Sequence, residues 1–192
     1  MMAQGKLMKL IGIIASILVS IAFLGCSRPE EKLREFAQSE CKSGIQNVYG
    51  KTKNLELGVA QLRRSALLGN RKAQFEVGVL FANGDGVAAD YVEAYAWLSI
   101  ALNSDFRSEY SPRGGEKILH NDREVLAAIS SIDRQLRESG MDVQLQAEGA
   151  LREVVRRMNS EALAKGKERS KEIRPLILDE VRQKLSEIRE GK

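Results

Sequence analysis

Three side chains in this sequence belong to the types that most often make and break bonds: Cys26, Cys41 and His120. A thiolate can be acylated, oxidised or metallated, and an imidazole can move a proton or hold a metal. Spacing decides which of these applies. His120 is the sole histidine, with no cysteine or carboxylate at ligand spacing, so it makes a poor metal site and reads as an ordinary solvated histidine. Nucleophilic catalysis needs a histidine or an equivalent base beside the nucleophile. No Ser-x-x-Lys arrangement stands in a context that would supply one. The HExxH zinc motif, the GxxxxGK[ST] phosphate loop and the GxSxG elbow are all missing. Gly84-Asp85-Gly86 follows no strand pattern, so it reads as a turn rather than half of a dinucleotide fingerprint. The carboxylates are spread along solvated helix faces. The expectation is a chain with no catalytic residues, no cofactor and no metal.

The elements that must position these residues begin at the amino end. Lys6 and Lys9 give a positive start, and Leu10 to Leu24 is almost wholly apolar. That run is short of the roughly 20 residues a spanning helix needs. It fits the apolar region of a secretory signal, so residues 1–25 are expected to be an export leader. Phe23-Leu24-Gly25-Cys26 resembles a bacterial lipobox, with Phe23 where leucine is usual. The resemblance implies cleavage after Gly25 and lipid attachment to Cys26. Ser27 stands where aspartate commonly signals inner-membrane retention, which implies an outer-membrane anchor facing the periplasm. One acyl chain holds only marginally, at about 0.8 kcal/mol per buried CH₂. A lipoprotein cysteine carries several, so release should be negligible.

The chain is 43% hydrophobic but only 5% aromatic, and runs of Val, Ile and Thr alternating with polar residues are absent. An all-α fold follows. The formal charge of +4 includes the two lysines of the leader, and the remaining +2 is too small to argue for nucleic acid.

Residues 73 to 101 organise the rest. Ala73, Val77 and Phe81 share one helix face, and Ala94, Trp97 and Ala101 share another. Between them Asn83-Gly84-Asp85-Gly86 is a turn signal, because glycine takes positive φ freely. Asp90 stands where a second helix begins and can accept from its first free N–H groups. Gly78 lies inside the first helix, where it costs roughly 1 kcal/mol relative to alanine. Close approach by another backbone would explain it. Tyr91, Tyr95 and Trp97 read as core fillers.

Ala73-x-x-x-x-Gly78, then Phe81-x-x-Gly84-x-Gly86-Val87-x-x-Asp90, then Ala94-x-x-Trp97-x-x-x-Ala101, resembles one Sel-one-like repeat. That family is a branch of the tetratricopeptide-like helical hairpins. Val77, Phe81 and Leu102 depart from the family's usual Leu, Tyr and Ala. The resemblance implies protein–protein interaction.

A shift of 36 residues places Ala37-Gln38 on Ala73-Gln74, Asn47 on Asn83, Gly50 on Gly86 and Leu62 on Leu98. Asn54, another good cap, falls on Asp90. Residues 37–72 therefore read as a degenerate first copy and 73–104 as the clear one. Gln61 replaces Trp97 and Gly58 replaces Ala94, so the first copy should pack less well. A hairpin cannot bury its apolar face alone, and such repetition signals a solenoid.

Before it, residues 28–45 read as a helix with Leu33, Phe36, Ala37 and Cys41 on one face. Cys41 is left without a second thiol once Cys26 is modified. It is either a buried apolar residue or a thiol open to intermolecular pairing. After the repeats comes a loop, 105–121. Capping helices follow over 122–163, with stripes Val125, Leu126, Ile129, Ile132, Leu136 and Leu145, Leu151, Val154, Val155, Met158. Ser139-Gly140 separates them, with Gly140 a left-handed cap. Residues 164–192 form a charged C-terminal helix, with a hinge at Ala164-Lys165-Gly166-Lys167. Its seam Ile177, Val181, Leu185, Ile188 would dock on the solenoid or zip onto another chain, and Glu180 would pair with Lys184.

The expectation is thus a short α-α superhelical solenoid of about two helical hairpins with C-terminal capping helices, over residues 26–104 and beyond. Its function would be non-catalytic: a lipid-anchored module binding an unidentified protein or peptide at the bacterial cell envelope. The alternative is a structural envelope lipoprotein that self-associates through its C-terminal helix.

Overall fold

The computed structural model describes residues 28–103, 120–138 and 142–191, all helical apart from short connections. The leader, Cys26, most of the 105–121 loop and the Ser139-Gly140 cap lie outside the described residues. Helices α1 (Pro29–Tyr49) and α2 (Leu55–Leu67) form a first hairpin, and α3 (Arg71–Asn83) and α4 (Tyr91–Leu102) a second. Then come α5 (His120–Glu138), α6 (Val143–Arg157) and α7 (Ser160–Glu190).

The second hairpin follows the expected logic. Gly84 ends α3 in the left-handed region at φ 79°, and its N–H donates to Leu80 O at 2.8 Å. Gly86 is also left-handed, at φ 74°. The Asp90 N–H donates back to Phe81 O at 2.9 Å, closing the turn. Its carboxylate accepts from Val92 N at 2.8 Å and Glu93 N at 3.1 Å, capping α4. At Gly78 the helices meet closely: a methyl group there would lie 2.7 Å from Leu98 Cγ.

The first hairpin repeats this plan with different chemistry. Helices α2 and α4 start at positions 55 and 91, which are 36 residues apart, each after a capping side chain, Asn54 and Asp90. The turns differ. Gly50, aligned on Gly86, has φ −74°, so space rather than backbone angle favours glycine there: a methyl group would collide with Gln46 O. Gly58 is not a weakness, as its loss of a methyl group suggested. It faces Gly44, and a methyl on either glycine would lie 3.0 Å from the other's carbonyl oxygen. Gln61, at the tryptophan position, accepts from Asn47 Nδ2 at 2.7 Å, so a polar pair takes the place of an aromatic ring. Helix α1 also runs past residue 45 to Tyr49, because Val48 is buried against α2.

Caps recur along the chain. Asn54, Asn70, Asp142 and Asn159 each accept from a backbone N–H three residues on, at 2.8 to 3.1 Å. Each satisfies one donor that the helix start leaves unpaired.

Among the described residues the two capping helices pack on other elements rather than chiefly on each other. Helix α5 packs mainly on α1 and α7, while α6 packs on α4 and α3. Ile129 of α5 covers Gly69, and Asp133 reaches Arg71 Nε at 3.1 Å. His120 and Asn121, placed at the end of the loop by sequence, belong to the first turn of α5. In α6 the buried positions are Val143, Ala147 and Val154, and Leu145, expected inside, is 66% exposed. The true stripe starts two residues earlier, because the helix begins at Val143.

Helix α7 is one continuous element from residue 160, not a hinge followed by a helix. Gly166 is buried against Tyr95, and Pro175 lies on the exposed side within the helix. The seam docks within the chain: Ile173, Ile177, Val181 and Leu185 are at most 3% exposed. Their neighbours are helices α4, α1, α5 and α2. Lys184 does not pair with Glu180. It bonds Glu187 at 2.8 Å and sits 4.7 Å over the Phe36 ring.

Candidate functional site

Helix α2 presents one side to a groove rather than to a neighbouring helix. Leu55, Val59, Arg63 and Leu67 recur every fourth residue and so lie in a row along it. Glu56, Ala60 and Arg64 form the adjoining row. Gly86 and Val87, from the α3–α4 turn, border the groove, and Glu180 of α7 contributes to its lining. The open space measures about 790 Å³. Its apolar strip is Leu55, Val59, Leu67 and Val87, with cationic and anionic side chains beside it.

The turn residues explain the shape. Gly86 can approach α2 because it lacks a side chain: a methyl there would lie 3.3 Å from Leu55 Cβ and 3.2 Å from Val59 Cγ2. Arg63 places its guanidinium 5.0 Å from the Phe81 ring centroid, and Arg64 pairs with Glu40 at 2.7 Å. Both arginines are thereby held on the groove side of α2. The nearby helix ends of the first hairpin add apolar surface, with Tyr49, Leu55 and Leu57 40 to 47% exposed.

A second polar cluster lies between α1 and α3. Glu76, only 7% exposed, accepts from Tyr49 Oη at 3.0 Å and pairs with Lys72 at 2.7 Å. Cys41 sits close to this cluster, buried, with its thiol pushed up to about 12. Burial is the main cause, Glu76 adds to it and Lys72 opposes it. The same burial and the same carboxylate raise the Tyr49 phenol. A thiol held neutral in this way is a poor nucleophile and a poor metal ligand. This supports the buried apolar reading of Cys41. Among the described residues no group of three or more His, Cys, Asp or Glu side chains is placed to hold a metal ion. Among them, too, no helix is long and apolar enough to cross a membrane.

Of the framework residues named from sequence, Ala73, Ala94 and Ala101 are fully buried, with Trp97 and Phe81 nearly so. Gly78 makes the α3–α4 contact, Gly84 and Gly86 shape the turn, and Asp90 caps α4. Of these nine, only Gly86 lines the groove. Of the groove's main residues, Leu55, Val59 and Arg63 were not singled out by sequence, and Glu180 was named only as a helix-face partner for Lys184. The fourfold spacing along α2 was visible, but nothing marked that face as the uncovered one. Cys26 lies outside the described residues. Comparison with protein-family models, with curated proteins and with solved structures finds no match.

Proposed function

We propose that this chain is a non-catalytic, lipid-anchored helical-repeat protein that mediates protein–protein interaction at the bacterial cell envelope. The groove along α2 is the observation that carries the binding role. It is apolar along its floor, charged at its sides and long enough for several residues of a partner peptide or helix. The hairpin pattern of residues 73–101 and its 36-residue echo support a repeat scaffold, the kind of element that presents such surfaces. Phe23-Leu24-Gly25-Cys26, behind a short apolar run, supports acylation of Cys26 and an outer-membrane anchor facing the periplasm.

Self-association through the C-terminal helix is the weaker reading. It needs the Ile177, Val181, Leu185 seam to be free, and that seam is buried within the chain.

The binding role is tested by affinity capture from envelope extracts with the wild type and with Ala60→Arg. Ala60 is exposed in the groove, so the change fills it without entering the core. A partner captured by the wild type and lost with the variant is the expected result. Identical capture, or none, overturns the groove as the binding site. The anchor is tested separately by metabolic palmitate labelling, which Cys26→Ser should abolish.

A further inference from the structure

We propose that, once Cys26 is acylated, the body stands on the membrane on the end where α1 begins and carries the α1–α2 and α3–α4 turns away from it. The partner for that end is a lipid headgroup surface. This inference rests on the proposed acylation and adds to it which way the molecule faces.

The length of chain between anchor and fold carries the argument. Only Ser27 and Arg28 separate Cys26 from Pro29, the first residue of α1. Three residue steps span at most about 10 Å even fully extended. The start of α1 therefore stays within about 10 Å of the anchor, at or just outside a headgroup layer that is roughly 5–7 Å deep on each side of the bilayer. Helix α1 then runs 21 residues without a break to Tyr49. At 1.5 Å per residue its far end is about 30 Å from its start.

The composition of the two ends decides which of them meets lipid. Leu33 and Ala37, near the start of α1, are fully buried. The later turns of α7 cover this region: Lys184 lies over Phe36, and Arg189 pairs with Glu124 of α5. Arg28 and Lys32 are exposed here, with Glu35 exposed among them and Glu30 and Glu31 half-buried, so the exposed charges at this end sum to +1 against −1 at the far end. Among the described residues this end shows no apolar face to insert, so it can rest against headgroups while the acyl chains supply the anchoring. At the far end, Tyr49, Leu55 and Leu57 are exposed beside Glu56, Asp85 and Asp90, all exposed as well. Three carboxylates against two lysines, Lys51 and Lys53, disfavour close approach to an anionic bilayer. The turn that borders the groove, Gly86-Val87, thus opens into the aqueous space.

The experiment uses the full chain expressed in bacteria, recovered from membranes and reconstituted into vesicles of phosphatidylcholine and phosphatidylglycerol with nitroxide-labelled headgroups. Lys32→Cys and Lys51→Cys, both at exposed positions of one lysine type, are labelled separately with a thiol-reactive fluorophore. Cys41 is buried with its thiol raised, so the native protein should not label there. With palmitate incorporated, the expected result is loss of most emission from Lys32→Cys and little loss from Lys51→Cys. Equal quenching with palmitate present means that α1 lies flat and overturns the orientation alone. No quenching of either label with palmitate present also overturns it. Absence of palmitate overturns the acylation, and the orientation with it.

Discussion

Gly166 of α7 rests on the ring of Tyr95 in α4 with no room for a methyl group between them. A Cβ there would lie 2.8 Å from Tyr95 Cδ1 and 3.0 Å from Cγ. Arg169, one turn further on, reaches Glu93 at 2.5 Å, and Arg174 donates to Asn103 O at 3.1 Å. The contact is therefore the first of a series that fixes the N-terminal half of α7 along α4. Gly166→Val should destabilise the protein by about 1–3 kcal/mol, the usual cost of overpacking. Its urea midpoint should fall, and trypsin should cut α7 faster. Tyr95→Ala makes space, so it should recover part of the loss when combined with Gly166→Val. A variant as stable as the wild type would mean that α7 is not held at this point.

Glycine is also where the chain was hardest to read. In a helical pattern, Gly166 between two lysines suggests a hinge, because a lone sequence shows the missing side chain but not the ring that fills its place. Gly58 posed the same difficulty: beside Gln61 it looked like decay, whereas Gly44 lies opposite and the two backbones nearly touch. The left-handed glycines were easier, since Gly84 and Gly86 sit between an apolar helix face and a capping aspartate, and their conformation is local. Helix faces with strict spacing, such as Ala73-Val77-Phe81, were legible for the same reason. The groove was not. Its floor is a sound amphipathic stripe on α2, and which stripe remains uncovered depends on where α7 crosses, a long-range matter.

Trp97 fills the space between α4 and its neighbours and is 6% exposed. Trp97→Ala should cost roughly 3–5 kcal/mol, transfer and cavity effects together. Equilibrium urea unfolding followed by circular dichroism measures it. A loss under about 1 kcal/mol would mean that the second hairpin closes over the cavity. At the equivalent position in the first hairpin, Gln61→Ala removes a hydrogen bond to Asn47 rather than a large apolar ring. Its cost should be smaller, about 1 kcal/mol.

Cys41 makes stability depend on pH at the alkaline end. Its thiol is raised from an ordinary 9.0 to about 12 in the folded chain, chiefly by burial. Below pH 9 both states hold the proton, and the stabilisation is complete. Between pH 9 and 12 the unfolded thiol ionises while the folded one does not, so stability falls as pH rises. The slope contributed by one such group is at most about 1.4 kcal/mol per pH unit. Tyr49 is raised as well, by burial and by Glu76, and adds a slope of the same sign, so the contribution of Cys41 is read as the difference between the wild type and Cys41→Ala in urea midpoints from pH 8 to 10.5. A parallel pair of curves would show that Cys41 ionises equally well in both states. In native protein at pH 8, its reaction with a disulfide reagent should be slow, and it should become fast on unfolding.

Arg71 and Asp133 join the start of α3 to α5, with Nε and Oδ1 3.1 Å apart and each side chain 10% exposed. Asn70, just before, caps α3 through its side chain, so the arginine enters at a fixed helix start. Burying both charges costs solvation, which their attraction offsets only in part. Removing one partner leaves the other buried without its counter-charge. Asp133→Ala and Arg71→Ala should therefore each destabilise by about 3–5 kcal/mol. Arg71→Met with Asp133→Leu should lose much less than the two single changes together, because it leaves no charge behind. Urea unfolding of the wild type, the two single alanine variants and the double variant Arg71→Ala with Asp133→Ala gives the coupling energy directly. Additive losses would show that the two side chains stabilise the α3–α5 contact through separate neighbours. Strong coupling would show that the pair acts as one electrostatic clamp and sets where α5 crosses the first and second hairpins.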